Sequence, residues 1–211
     1  MTRGVLFLLG VIVLGATWFG PLPQLARDAF SAHMAMHMGV VAIAAPLLAL
    51  GIGGSVFDPV RRWPNLFPPI PISLLELVVV WAWHGPALHH LARHTVAGLV
   101  AEQTAFLLTG FLVWISVFGG DFPQRQNRVA SGIAALLLTS MHMTLLGALL
   151  ALAPRPLYTH AGSPANLTPL DDQHLGGSIM LLVGGLSYLA GGLWLTATLV
   201  RITVHKRGTF A

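Results

Sequence analysis

The stretch "AFSAHMAMHMGVVAIAAPLLALG", Ala29–Gly51, decides the fold. It carries no Asp, Glu, Lys or Arg from end to end. A helix needs roughly 20 predominantly apolar residues to cross the hydrocarbon core of a bilayer, and this stretch supplies them. Within it stand two histidines, His33 and His37, spaced i, i+4 and therefore on one helix face, one turn apart. Imidazole inside a membrane span is costly and tends to be functional. One segment thus predicts both a transmembrane helix and a site.

Five further segments read as spans: Gly4–Phe19, Pro71–Leu88, Val96–Phe118, Val129–Ala153 and His174–Val204. Turn formers separate them, "GPLP" at Gly20–Pro23, "FPPIP" at Phe67–Pro71 and "GGDFPQ" at Gly119–Gln124. The expected fold is an all-α integral membrane protein, a bundle of about six transmembrane helices in one polytopic domain, 1–211. The first segment also resembles a signal peptide, with Arg3 ahead of an apolar run, but no A-x-A cleavage pattern follows it; it is taken as a span. No alternating pattern suggests a barrel.

Composition agrees. Of 211 residues 55% are hydrophobic and only 9% charged, against about 25% charged in soluble domains. The eleven Lys and Arg residues do not gather on one basic face, so nucleic acid is not an expected partner. There is no cysteine, which excludes disulfides, thiolate metal sites and cysteine nucleophiles.

The basic residues sort by side. Arg3, Arg61, Arg62, Arg125, Arg128, Arg201, Lys206 and Arg207 fall on one side, and Arg27, Arg93 and Arg155 on the other. By the positive-inside rule the first side is cytoplasmic, with both termini there. Nine histidines then belong to the outer half or the midplane, and His205 alone to the cytoplasmic side. With a rise of about 1.5 Å per residue, His37 lies about 12 Å into its span and Glu102 about 9 Å into the fourth. His84 closes the third span, and His142 lies deeper.

"HMAMHM", His33–Met38, and "MHM", Met141–Met143, set imidazole beside thioether. That pairing favours copper over magnesium or calcium. Methionine in an apolar helix is more often packing material, and Met34 lies about 100° round the helix from His33. His89, His90, His94 and His160 read as loop residues at the membrane surface. Asp171 and Asp172 open the last span, where carboxylates complement the helix dipole; the alternative for Asp172 is to orient a ligand histidine or bind the ion. Glu76, nearer the cytoplasmic side, has no partner that the sequence names.

These residues resemble the caa-type CtaG family, multi-span cytochrome c oxidase assembly factors. "HMAMH" followed by "APLLALG" (Ala45–Gly51), "WHGPAL" (Trp83–Leu88), "AEQTAF" (Ala101–Phe106), "PLY" (Pro156–Tyr158) and "PLDDQHLGG" (Pro169–Gly177) are similar to its elements in order and span placement. Gln103 stands where the family often has histidine, and Leu181 where it often has tryptophan. The resemblance implies a non-enzymatic, multi-pass protein of the cell (inner) membrane that helps mature a haem-copper oxidase. Its partners would be cytochrome c oxidase subunits or other copper-handling proteins. Copper is the expected metal, with His33, His37 and His84 as main ligands. His142, with Met141 or Met143, is a deeper ligand or transfer group, and Glu102 and Asp172 are accessory ligands. Two other classes stay open: a b-type haem carrier using His37 and His84, and a copper transporter, which needs polar groups continuing through the membrane.

Overall fold

The computed structural model describes residues 2–158 and 167–208, without the side chains of residues 122 and 202–208. His160 lies outside these residues, as does the side chain of His205. Among the described residues there are helices and no strands. Helix α1 is Arg3–Phe19 and α2 is Leu22–Asp28, bent from it by 46°. Helix α3 spans Phe30–Ile52, α4 Pro69–His84, α5 Pro86–His94, α6 Val96–Phe118 and α7 Phe122–Ala151. Helix α8 comprises Pro169–Ile179, a π-helical turn Met180–Gly184 and Gly185–Gly208. Among the described residues five helices are long and apolar enough to cross a membrane, and six if the bent pair α1–α2 counts as one span. The protein is an all-α membrane bundle.

Helix ends follow local chemistry more than hydropathy. Helix α7 begins at Phe122, ahead of the expected Val129, because Asp121 and Gln124 form a reciprocal capping box that satisfies free N–H groups at the start. Helices α4 and α8 begin at Pro69 and Pro169, where a missing N–H costs nothing. The third expected span, Pro71–Leu88, is cut short. Gly85, extended at ψ 141°, precedes Pro86, and a residue before proline is pushed out of the α region. Residues Pro86–His94 therefore form a separate helix.

Helix α3 is central. In its apolar window 67% is buried, against 44% for the next span, α7. It packs on α1, α6 and α8, while α4 and α7 close the far side of the bundle. Small residues bring the backbones together. A Cβ on Gly51 would stand 2.7 Å from the Phe7 backbone of α1, and one on Gly177 would stand 2.5 Å from the Ala151 backbone of α7. Without a hydrophobic drive between helices in lipid, such close approach is a main source of attraction.

Helix α3 carries its own irregularity. Pro46 has no N–H, so the carbonyl of Ala42 loses its helical donor. The chain widens into a π-helical stretch over Gly39–Ala44. Ser187 Oγ of α8 then donates to Ala42 O at 2.7 Å, supplying the bond that proline removed.

The two ends of the bundle differ in charge, as the sequence predicts. At one end Arg3 donates to Gly54 O (2.8 Å), Arg61 pairs with Asp121 (2.7 Å), and Arg125 donates to Gly120 O (2.9 Å). Asp58 gathers the backbone N–H groups of Gly54, Val60 and Gly120 at 2.5–2.9 Å. Gly54 and Gly120 both adopt positive φ, 73° and 85°, which a side chain at either position would strain. At the opposite end Arg93 donates to Arg27 O, and the histidines collect.

Candidate metal centre

Three elements build the histidine end. Helix α3 brings His33 and His37 down one face. Helix α6 brings Glu102, two turns in. The break at Gly85 turns the chain, so that α4 ends on His84 and α5 folds His89 back over the bundle.

His33 Nε2 lies 3.1 Å from Glu102 Oε1, both side chains being almost wholly buried. His89 meets His33 edge to face, with ring centroids 5.2 Å apart. One ligand atom from each of His33, His89 and Glu102 lies within 4.8 Å of the others. One turn deeper, His37 lies 5.2 Å from His84, centroid to centroid, and stacks on Phe106 at 3.8 Å. Among the described residues neither nitrogen of His37 has a hydrogen-bond partner. His84 Nδ1 lies 2.7 Å from Val80 O. If Nδ1 is the protonated nitrogen that this carbonyl contact calls for, Nε2 keeps its lone pair, and among the described residues Nε2 has no partner. A buried polar atom without a partner is costly, and the three such nitrogens on the facing His37 and His84 rings are the kind of donors that a metal ion satisfies.

The site is reachable. A cleft of about 360 Å³ between α2, α5 and the start of α6 is lined by Arg27, Asp28, His33, Arg93, His94 and Thr95 among others. A second groove of about 180 Å³ runs past His89, His90, Arg93, His94 and Tyr158. Tyr158 closes the inner wall. It stacks on Phe30 at 5.0 Å, lies 4.1 Å from the His89 ring, and donates to His84 O at 2.7 Å. Burial pushes its hydroxyl up to about 12, so it stays a neutral donor. Burial pulls the Arg93 guanidinium down to about 10, opposed by Asp172, Asp28 and Glu102; it remains charged at neutral pH.

The family model of the cytochrome c oxidase caa3 assembly factors, Caa3_CtaG, matches residues 1–201. The chain belongs to this family. Nothing matches it among curated proteins or solved structures. As a Caa3_CtaG member it is a cytochrome c oxidase assembly factor, which places it with oxidase components in a membrane setting.

In this family member the expected ligands divide. His33, His37, His84 and Glu102 come together. Asp172 does not join them. It stands in the first turn of α8 and accepts from Phe30 N (2.6 Å), Ser31 N (3.1 Å) and Ser31 Oγ. It caps the start of α3 from another helix and thereby fixes the height of His33. Asp171 takes the local role instead, accepting from Thr168 Oγ1 at 2.6 Å. Met141 is 69% exposed on the outward face of α7. Met143 sits in the apolar core beside Gly184, which the Met38 sulfur also meets. Met34 packs against Gly176. These thioethers fill the gaps that α8 glycines leave. His142 is buried on α7, with both nitrogens unpartnered among the described residues, and lies outside the three-residue group.

Two residues were hidden from the sequence. His89 reads as a surface residue of a loop, yet it is 4% exposed. The signal that finds it is the amphipathic pattern of α5, where His89 and Ala92 share the buried face while His90 and His94 face out. Glu76 has partners after all. Its two oxygens accept from Tyr188 (2.8 Å) and Thr139 (3.0 Å), and Thr139 in turn pairs with Ser73. Gln103 is buried and donates to Glu102 Oε2 at 3.2 Å. It supports the carboxylate where a histidine would have added a donor nitrogen.

Proposed function

We propose that this assembly factor binds copper as cargo at the histidine end and passes it to a cytochrome c oxidase subunit. The carrying observation is the buried group His33–His89–Glu102, its ligand atoms within 4.8 Å of one another, in reach of an open cleft. His37 and His84 form a second imidazole pair one turn inward. The donor set is nitrogen and oxygen rather than sulfur. For such sets affinity among divalent first-row ions peaks at Cu²⁺, and an incompletely enclosed set suits release as well as capture. By the positive-inside rule the arginine end faces the cytoplasm, which puts the site on the outer face of the cell (inner) membrane, with the chain acting as one polytopic unit and without catalysis.

Two observations favour this over the alternatives. Phe106 stacked on His37 leaves the imidazole pair suited to a small ion more than to a haem macrocycle. The Glu76 network is satisfied within itself, which favours holding an ion at one end over passing it through. The test is copper and zinc analysis of the purified protein beside His33→Ala/His89→Ala and His33→Ala/His37→Ala variants, with oxidase activity measured in cells. Loss of copper together with loss of oxidase activity is expected. Unchanged copper in both double variants would overturn the assignment, and a Soret band scaling with protein would replace it with haem.

A further inference from the structure

His90 and His94 are the two exposed imidazoles of α5. They are spaced i, i+4, and their rings lie 4.1 Å apart, centroid to centroid. On a helix this spacing lets two imidazoles bind one ion from the same face. Arg93, between them in sequence, lines the same two openings and donates through its guanidinium to Arg27 O. Their position is the second observation. His94 lines both openings at this end: the cleft that includes His33 and Asp28, and the groove that includes His89 and His90. An ion held by the pair would stand where the two routes to the buried group meet, with the Asp28 carboxylate in the same cleft as His94.

We propose that His90 and His94 form a surface capture site for a divalent first-row transition-metal ion. It is distinct from the buried group. Two imidazoles with the remaining positions left to water give an open, exchangeable site, with Cu²⁺ held more tightly than Ni²⁺ or Zn²⁺. Transfer inward from the pair rests on the copper-handling function proposed above; binding at the pair does not.

The experiment titrates the full-length protein in detergent with Cu²⁺ alone, followed by electron paramagnetic resonance and by the rate at which the buried site fills. Both side chains are exposed, so His90→Ala, His94→Ala and the double variant, with a His90→Gln/His94→Gln control, should fold. Because two ligands act as one chelate, each single variant should weaken the exposed site about tenfold or more, nearly as much as the double. Signals from equatorial imidazole nitrogen at that site should disappear. Copper finally held by His33, His89 and Glu102 should be unchanged in amount but slower to load. Single variants that each remove half of an additive signal, or a double variant that titrates like the parent, would overturn the capture site. If His33→Ala/His89→Ala abolishes no copper while the exposed site titrates as expected, the buried-site function fails and the capture site stands.

Discussion

His33 Nε2 and Glu102 Oε1 stand 3.1 Å apart across the interface of α3 and α6. The contact ties the central helix to the helix that carries the only carboxylate of the buried ligand group. Glu102→Gln keeps the shape and removes the charge. Copper affinity is expected to fall about 10–100-fold with little change in thermal stability. Equilibrium titration against a copper chelator measures it, and an unchanged affinity would remove Glu102 from the site.

Gln103 supports that carboxylate from the next position, through its bond to Glu102 Oε2. Gln103→Ala should weaken copper binding by about tenfold, since a partner that orients a ligand contributes at that scale. Gln103→His should keep binding at least at the parent level. A Gln103→Ala variant with parental affinity would reduce the residue to packing.

Asp172 is expected to matter for stability before it matters for metal. Asp172→Ala strips three donors of their acceptor at the start of α3. Leaving buried donors unsatisfied costs about 1–3 kcal/mol each at most, so a clear drop in the thermal midpoint in detergent is expected. The folded fraction should still carry copper. Full stability with copper lost would reverse the assignment and make Asp172 a ligand.

Ser187 and Pro46 are coupled through the Ala42 carbonyl. Ser187→Ala should destabilise by about 1 kcal/mol, the usual worth of one hydrogen bond. Pro46→Ala restores an N–H to that turn, so Ser187→Ala should cost less in its background. A double-mutant cycle gives the coupling. A cycle that closes with no interaction energy would show that the hydroxyl does not replace the missing donor.

Gly177 lies against the backbone of α7. Gly177→Val should separate α7 from α8 and lower both the thermal midpoint and the yield of folded protein in membranes. Gly192, whose Cβ would meet nothing within 4 Å, is the control: Gly192→Ala should be neutral or slightly stabilising through helix propensity.

The sequence by itself determined the membrane class, the number and approximate position of the spans, and the sorting of arginines to one end and most histidines to the other. The reason is local. Crossing lipid demands a continuous apolar run, and the cost of burying charge concentrates arginine where the run ends. The i, i+4 spacing likewise placed His33 and His37 on one face without any knowledge of neighbours. What only the tertiary structure decided was who meets that face. The break at Gly85–Pro86 swings α5 over the bundle, so His89 is buried and His90 is not. Helix rotation turns Met141 outward and sets Met38 and Met143 into the Gly184 gap. Helix-to-helix height puts Asp172 against the start of α3 and brings Tyr188 and Thr139 to Glu76. Hydropathy records whether a residue lies in the membrane; which way it faces there, and against which partner, is fixed by packing between segments far apart in the chain.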